Sequence, residues 1–513
     1  MKVLTNLSAA RRIFVDTKRF SSLRKPNLKN DSGIALVEMN MDFSSHAAYA
    51  LLAKTISKNS VRFVGYSHVP IYNLGSLIKW QLAIRIPALF AAQRSNYLYS
   101  RIGIKQFVKP DLVIKSSNIV LPSKRDVLNF EVEDILVGDL FYDFHLAKRG
   151  LGTIDLNSSH FQQDLEEFLA IVKFWKNFFS THNVEYVFTS HSVYTQGLVG
   201  RVGISFGAKV FVVNHERLYQ LSSGNLLSDC ESKFYSPQAK SQFGHSVDIE
   251  RGTLELDKVM SGLPQPSSHH GLVNGFVGDK EVLMEENELL NVMVAAHCFS
   301  DSPNALGPQL FPDFLEWLEF LGLMSKKVNA NWYIKEHPAF NENDFEIFND
   351  FLTRHPQLKR IPRSVSNLLL FKDKMDLVLT VHGTIAVEAA WNGVKVINSS
   401  INSPHANYDF SVTPKSITEY QDLLESLNFD SLRKIPEPSR EEIAHFFDLH
   451  HIRRSKYWLY GDSTPLFVGQ NLNYKSRIQS LSSFTFWCQK FAGSTSNLEN
   501  DIEAFINSDN YIF

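Results

Sequence analysis

The sequence has 513 residues and a formal net charge of −2, and it is 44% hydrophobic and 21% charged. These values exclude a disordered chain and a general polyanion binder, and the length predicts two or more domains. No window of about 18 apolar residues occurs, which argues against a transmembrane helix. Because Cys230, Cys298 and Cys488 are widely spaced, we expect a soluble cytoplasmic protein in a reducing compartment.

The segment 1–30 is strongly basic, with eight Lys or Arg residues and a single acidic residue. Three interpretations stay open for it: a solvated arm, a peripheral contact with an anionic membrane surface, or a mitochondrial-type targeting segment. The membrane interpretation would place the protein at the inner face of the cytoplasmic membrane.

Strands and helices alternate along the first half of the chain. Short apolar runs predict the strands, and longer amphipathic runs predict the helices. This alternation is typical of a mostly parallel sheet covered by helices. The predicted strands are 34–39, 61–67, 111–115, 184–190 and 209–214, and the predicted helices are 45–57, 74–102, 161–179 and 196–206.

A second alternation follows residues 260–280, whose Gly, Pro, Ser and His content predicts a linker. Two consecutive halves of this kind predict an α/β fold of two Rossmann-like domains. The predicted strands are 291–297, 331–337, 376–381 and 395–400, and the predicted helices are 311–324, 344–354, 385–391 and 440–460. The predicted organisation is a basic arm at 1–30, an N-terminal domain at 31–280, a C-terminal domain at 281–440 and a helical tail at 441–513.

The stretch DLVLTVHGTIAVEAAWNGVKVI, residues 376–397, predicts a strand, a tight turn and a helix. His382 and Gly383 lie in the turn, and Thr384 is a candidate N-cap. The N–H groups and the dipole at a helix start favour an anion, and Glu388, one turn later, suits a ribose diol. The stretch therefore predicts a nucleotide site or, as the alternative, an ordinary capped strand–turn–helix.

The stretch WYIKEHP ends the predicted strand 331–337. Period-two alternation places Lys335 and His337 on one face at the carboxyl end of the strand, and Pro338 stops the strand. Two donor groups at such an edge suit a phosphate. The alternative is a surface lysine and a satisfied histidine.

The stretch AAHCFSD follows the first strand of the second half. We expect its loop, with His297 and Asp301, to face the other domain, either as part of a functional site or as an ordinary connection. His297 and Cys298 lack a second pair of ligands at zinc spacing, so we exclude a zinc site.

The first half offers candidate acid–base groups in VGDLFYDFHL and in SHSVYTQGLVGR. Asp139 and Asp143 are carboxylates of the kind that proton transfer from a sugar hydroxyl needs, although isolated Asp residues in loops are more often turn formers. His191 and Tyr194 come just after a predicted strand. The chain has no GxxxxGK[ST], GxSxG or strand-linked GxGxxG motif, which argues against P-loop kinases, α/β-hydrolases and standard NAD enzymes.

The stretches GDLFYD, SHSVYTQGLVGR, AHCFSD, WYIKEHP and DLVLTVHGTIAVEAAWNGVKVI, in this order, resemble bacterial glycosyltransferases of capsule and surface-polysaccharide synthesis. These enzymes have the GT-B fold and include the β-Kdo transferases, and they are distantly related to CDP-glycerol glycerophosphotransferases. The resemblance covers about residues 130–425. The family usually has proline where this chain has Glu336, a carboxylate that strand alternation predicts to point away from a phosphate.

The resemblance implies two Rossmann-like domains facing across a cleft, with a nucleotide-sugar donor held by the C-terminal domain and no metal or cofactor. The departing phosphate would be stabilised by the C-terminal residues, and an N-terminal aspartate would accept the proton of the acceptor hydroxyl. The candidate catalytic residues are Asp139, Asp143 and His297. The candidate nucleotide- and phosphate-binding residues are Lys335, His337, Thr380, His382, Gly383, Thr384 and Glu388. The candidate residues of the acceptor cleft are His191, Tyr194 and Asp301.

The implied function is transfer of a sugar from a nucleotide donor, with CMP-Kdo as a candidate, to a surface polysaccharide or lipid-linked glycan. The expected partners are a nucleotide sugar and a glycan or glycolipid acceptor, and not a nucleic acid. Three alternatives stay open: a glycerophosphate or phosphosugar transferase, a UDP-sugar 2-epimerase, and a non-catalytic GT-B-like scaffold in polysaccharide assembly.

Overall fold

The computed structural model describes residues 33–40, 43–57, 61–70, 99, 102–114, 116, 119–213, 218–228, 247–261, 284–285, 287–372, 375–452 and 496–513. The basic segment 1–30 and most of the predicted helix 74–102 lie outside this part of the chain. Most of the predicted linker and the predicted domain boundary at residue 280 lie outside it as well.

The first half forms a six-stranded sheet in the order β3-β2-β1-β6-β7-β8, in which every pair is parallel except β7 with β8. A short β4–β5 hairpin stands apart from it. The strands are β1 Ile34–Glu38, β2 Arg62–Tyr66, β3 Phe107–Val108, β4 Glu131–Val132, β5 Ile135–Leu136, β6 Val184–Thr189, β7 Lys209–Val213 and β8 Leu218–Leu221. The helices are α1 Phe43–Ile56, α2 Lys124–Leu128, α3 Gly138–Arg149, α4 Ser159–Thr181 and α5 Tyr194–Ser205.

The second half forms a five-stranded, fully parallel sheet in the order β11-β10-β9-β12-β13. Its strands are β9 Asn291–Ala295, β10 Asn331–Lys335, β11 Lys359–Ile361, β12 Leu377–Thr380 and β13 Lys395–Asn398. The helices are α6 Ile249–Met260, α7 Phe314–Met324, α8 Glu342–Arg354, α9 Asn367–Phe371, α10 Ile385–Trp391, α11 Ile417–Glu425, α12 Phe429–Lys434, α13 Arg440–Phe447 and, after a π-helical turn at Asp448–Ile452, α14 Ser496–Ile506.

Each sheet is buried on both faces, as parallel sheets generally are. In β9, Val292 and Val294 pack beside Trp317 of α7, whereas Met293 packs on the opposite face beside Trp391 of α10. Each fully buried side chain of this size contributes about 1.5–3 kcal/mol relative to an exposed one. These continuous apolar strands made the elements of the second half easy to predict.

The predicted fold class, α/β with two Rossmann-like halves, is confirmed by the two largely parallel sheets. One local prediction is wrong. Residues 111–114 form no strand, and Val113 is 73% exposed and Ile114 is 52% exposed, so this apolar run is not buried as a strand of the sheet would be. The segment that carries Asp139 and Asp143, to which the sequence assigned no element, is the helix α3.

The predicted helical tail divides into two parts. Helix α13 packs on α6 in the second half, whereas α14 crosses back to the first half and buries Ile502 and Phe505 in the core beside α1. Ile512 then pairs with Tyr219 of β8. The last described residues therefore complete the N-terminal sheet.

Candidate functional site

Three histidines follow three neighbouring strands of the C-terminal sheet. His297 comes after β9, His337 after β10 and His382 after β12. The ring of His297 lies 4.9 Å from the ring of His382 and 6.4 Å from the ring of His337, measured between centroids. The ring of Phe314 stacks on His297 at 4.7 Å. The carboxyl ends of parallel strands thus bring together side chains that are distant in the sequence.

Hydrogen bonds fix the ring of His297. Its Nε2 accepts from the backbone N–H of Val381 at 3.3 Å and lies 3.2 Å from Oγ1 of Thr380. Since Nε2 is an acceptor, the proton of the neutral ring is on Nδ1. Oγ1 of Thr380 also accepts from the N–H of Gly383 at 3.2 Å. Thr380 therefore joins the first histidine to the turn after β12.

His337 has the opposite tautomer. Its Nδ1 accepts from the backbone N–H of Ala339 at 3.2 Å and lies 3.1 Å from Sγ of Cys298. The proton of the neutral ring is therefore on Nε2, which is left as a donor. Burial raises the pKa of the Cys298 thiol to about 12, because it disfavours the thiolate. Cys298 therefore acts here as a neutral neighbour of His337.

The cluster is neutral at neutral pH. Burial, with a smaller effect from the nearby His337, lowers the pKa of His382 to about 4. Burial also lowers the pKa of His297 well below its usual value, with smaller effects from the other two histidines, and burial lowers the pKa of His337. Among the described residues, none hydrogen-bonds the buried Nδ1 of His382. The three rings therefore offer N–H donors, and not positive charges, to a ligand.

Lys335 is the last residue of β10, and its side chain contacts residues outside the histidine cluster. Its Nζ donates to the backbone oxygen of Val365 at 2.6 Å and to Oδ1 of Asn367. Nδ2 of Asn367 donates in turn to Oε2 of Glu388 at 2.8 Å. The lysine therefore belongs to a Lys335–Asn367–Glu388 chain, whereas His337 belongs to the histidine cluster.

Burial shifts both charged ends of that chain. It lowers the pKa of Lys335 to about 8, and the nearby Glu388 partly opposes the effect. It raises the pKa of Glu388, whereas the hydrogen bond from Asn367 and the charge of Lys335 lower it. Each end therefore depends on the other to stay charged. Glu336, next in sequence, points away as predicted and binds Arg360 and the N–H of Arg363.

The turn after β12 is also held by His405, a residue that the sequence did not indicate. Nε2 of His405 donates to the backbone oxygen of Gly383 at 3.3 Å, and Oγ of Ser403 donates to Nδ1 of the same ring at 2.6 Å. A Cβ at Gly383 would lie 2.9 Å from Oγ1 of Thr380, so the turn is crowded. Thr384 stands at the N-cap of α10 and is exposed, and its side chain makes no capping hydrogen bond.

We expect the stability of the protein to fall as the pH drops from about 6.5 to about 4. Burial holds the pKa of His382 near 4 and that of His405 near 3, whereas an unfolded histidine titrates near 6.5. In this pH range the unfolded chain binds protons that the folded chain does not. Each of the two histidines therefore lowers the free energy of unfolding by up to about 1.4 kcal/mol for each pH unit of acidification. Urea unfolding at pH 7, 6 and 5 measures the slope. His405→Gln should make the slope shallower, and the exposed His160→Gln should leave it unchanged; equal slopes in all three proteins would contradict this prediction.

The two candidate aspartates of α3 are already engaged. Asp139 forms a bidentate ion pair with Arg201 of α5 at 2.5 and 2.6 Å. Asp143 is 2% exposed and accepts from Nδ2 of Asn304 at 2.8 Å and from its backbone N–H at 3.3 Å. Burial raises the pKa of Asp143 well above its usual value. Asp139 therefore serves α3–α5 packing, and Asp143 joins the two halves.

The carboxyl edges of the two sheets meet at this junction. Tyr194, after β6, accepts through its hydroxyl from the backbone N–H of Ser302, after β9, at 3.0 Å. Its backbone φ is 51°, a value that non-glycine residues rarely adopt. Tyr142 donates to Asp313 at 2.5 Å across the same junction. The strand ends of the N-terminal sheet therefore face the histidine cluster.

The remaining candidates lie at the edge of this junction. Asp301 is exposed and its Oδ1 accepts from the N–H of Ser302 at 3.1 Å. His191 is exposed, and its Nδ1 lies 2.8 Å from Oγ of Ser190. In the part of the chain that the structure describes, no group of three His, Cys, Asp or Glu residues is arranged to hold a metal ion. None of the helices described is long and apolar enough to cross a membrane.

No family model and no curated protein matches the sequence. Among solved structures, the UDP complex of MnaA from S. aureus is 11% identical, with a TM-score of 0.26 over 83% of this chain and 97% of that chain. MurG from Acinetobacter baumannii is 11% identical, with a TM-score of 0.24 over 82% and 95%. UDP-GlcNAc 2-epimerase from Neisseria meningitidis bound to UDP-GlcNAc is 11% identical, with a TM-score of 0.24 over 83% and 99%. Similarities this low carry no argument about function, which must come from the site.

Proposed function

We propose that this protein is a glycosyltransferase that takes a sugar from a nucleotide-activated donor and transfers it to a hydroxyl group of a glycan or glycolipid. One observation carries the proposal: the strand ends of a Rossmann-like sheet bring His297, His337 and His382 together beside the turn at Gly383. Such an edge is where open α/β sheets bind ligands. A cluster of N–H donors there suits the oxygens of a phosphate.

The donor's phosphate gains negative charge as the bond to the sugar breaks. Nε2–H of His337 and the N–H of His382 would donate to its oxygens, and the fixed donors would stabilise the developing charge without metal. His297 orients this group, because it is held by Thr380 and Val381 and contacts the other two rings. In this role His297 is a positioning residue and not a proton acceptor.

Glu388 is the proposed partner of the ribose. Asn367 holds Oε2, and no described residue hydrogen-bonds Oε1. A carboxylate oxygen at the mouth of α10 can accept from a ribose hydroxyl. The charge of Lys335 then acts from behind, through Asn367, and keeps Glu388 ionised.

The finer assignments rest on the sequence resemblance to the capsule enzymes. They comprise a surface-polysaccharide acceptor, CMP-Kdo as a candidate donor and contact of residues 1–30 with an anionic membrane. The scaffold, epimerase and phosphotransferase alternatives are outcomes of the tests below.

Thermal unfolding with CMP, CDP, UDP and GDP tests the donor site. A nucleotide that binds only the folded state adds about 2.7 kcal/mol of stability at a hundredfold excess over its Kd. We expect one base to raise the melting temperature in the wild type and in the exposed control His160→Gln, and to lose this effect in His382→Ala. A CMP-selective shift would support the Kdo donor, and a UDP- or GDP-selective shift would remove it.

The absence of a shift with every nucleotide would overturn the proposal and favour the scaffold. Product analysis separates the enzymes. A glycosidic bond supports the glycosyltransferase and a phosphodiester supports the phosphotransferase, whereas an altered free nucleotide sugar supports the epimerase.

A further inference from the structure

A second cluster lies at the carboxyl edge of the N-terminal sheet, apart from the residues used above. Strands β2 and β3 are added on one side of β1, whereas β6 lies on the other side of β1 and is followed there by β7. The edge between β1 and β6 is therefore the topological switch point, where open parallel sheets form a crevice for a ligand. Glu38 ends β1 at this point, and Ser190 follows β6.

Glu38 is a buried, fixed carboxylate. It is 1% exposed, and Oε2 accepts from the N–H of Ser190 at 2.5 Å, from the hydroxyl of Tyr49 at 3.2 Å and from that of Thr189 at 3.4 Å. A buried carboxylate is costly unless its surroundings compensate it. A buried carboxylate at the switch point therefore indicates that this carboxylate has a function there.

His68 follows β2, the strand that pairs with β1, and therefore lies at the same edge as Glu38. Its Nδ1 lies 2.7 Å from Oγ1 of Thr195, which is 2% exposed in the first turn of α5. Among the described residues, none hydrogen-bonds Nε2 of His68. Thr195 directly follows Tyr194, which contacts the loop after β9. His68 is therefore anchored beside the junction that faces the donor histidines.

We propose that His68 is the general base that accepts the proton of the acceptor hydroxyl, with Thr195 orienting its ring and Glu38 stabilising its protonated form. This inference rests on the proposed function, and it replaces Asp139 and Asp143 in the role that the resemblance implied for them. Asp139 is paired with Arg201, and Asp143 is buried against Asn304, so neither carboxylate is available.

The step balances as follows. Nδ1–H of His68 donates to Oγ1 of Thr195, and Nε2 accepts the proton of the acceptor hydroxyl. The acceptor oxygen forms a bond to the anomeric carbon as the bond from that carbon to the phosphate oxygen breaks. The electron pair leaves with the nucleotide, and His68 later returns its proton to solvent.

The electrostatic surroundings suit a base at neutral pH. Burial lowers the pKa of His68, Glu38 on β1 raises it, and His191 after β6 lowers it. The ring is thus mostly neutral before the reaction, and Glu38 favours the imidazolium that forms. The rate should therefore fall on the acid side as His68 becomes protonated before it can act.

The test measures nucleotide release with water as the acceptor, so that no glycan need be known. CMP-Kdo, UDP-N-acetylglucosamine and GDP-mannose are the donors, and the wild type is compared with His68→Gln, Thr195→Val and the control His160→Gln. We expect His68→Gln to lower kcat by about 10²–10⁴, to abolish the acid limb of the pH profile and to leave the nucleotide-induced thermal shift unchanged. Thr195→Val should lower kcat less and shift the acid limb.

The possible outcomes separate this inference from the proposed function. If the wild type binds a nucleotide and releases it, and His68→Gln keeps both the rate and the acid limb, then the base assignment is overturned and the donor site stands. A wild type that binds no nucleotide overturns both. Loss of nucleotide binding in His68→Gln would also overturn the assignment, because a base on the acceptor side should not hold the donor.

Discussion

Lys335→Met is expected to lower the rate of sugar transfer by about 10²–10³, the effect of removing one preorganised electrostatic group. Methionine keeps the length of the buried stem but removes the charge. Oδ1 of Asn367 and the backbone oxygen of Val365 then lose their donor, and Glu388 loses the cation that keeps it ionised. Binding of the donor's ribose by Glu388 should therefore weaken.

The measurement is kcat and KM for the donor across pH 6 to 9.5. Since burial lowers the pKa of Lys335 to about 8, the wild-type rate should fall above that pH as the lysine loses its proton, and this limb should be absent in Lys335→Met. Lys359→Met is the matched control, because Lys359 lies on the neighbouring strand β11 and its side chain is 43% exposed. A wild-type rate in Lys335→Met would exclude the lysine from the mechanism.

Arg201→Met is expected to destabilise the protein by about 3–5 kcal/mol, the usual cost of leaving a buried charge without its partner. Arg201 is 2% exposed, and it donates to both oxygens of Asp139 and to the backbone oxygen of Leu136. The variant leaves the Asp139 carboxylate opposite an apolar side chain between α3 and α5.

Urea unfolding of Arg201→Met, Asp139→Asn and the double variant measures the coupling between the two residues. The double variant should be more stable than the sum of the single losses predicts, and nucleotide binding should persist where the protein stays folded. If Arg201→Met lowers the free energy of unfolding by less than about 1 kcal/mol, the pair contributes no more than an exposed salt bridge does. Such a result would also return Asp139 to the candidates for the base.

The architecture was predicted correctly where buried strands appear in the sequence as short, uninterrupted apolar runs. Val292 to Ala295 and Leu377 to Thr380 are short apolar runs between turn residues, and both are central strands. The strand prediction failed at 111–114, since an apolar run reveals strand propensity but not whether another layer of the fold covers it. Here Val113 stays in contact with water.

The three clustered histidines could be found from the sequence because each stands at the end of a strong strand signal. The Lys335–Asn367–Glu388 chain and His405 could not, since their partners come from separate segments that meet only through tertiary packing. The same holds for Glu38 and His68. The contacts of Glu38 with Ser190 and of His68 with Thr195 depend on the strand order, in which β6 lies beside β1. The linear sequence does not reveal that order.

The return of α14 to the first half has a consequence for how the chain is made. Nζ of Lys209 in β7 donates to the backbone oxygen of Ile506 across 297 positions, and Ile502 and Phe505 close the core beside α1. A ribosome that has finished the N-terminal sheet must still synthesise the whole second half before this face is covered. Because domains tend to fold in the order of synthesis, the apolar face of α1 and β7 that α14 covers stays exposed on the nascent chain. Helix α14, which covers this face, arrives only after the second half has emerged.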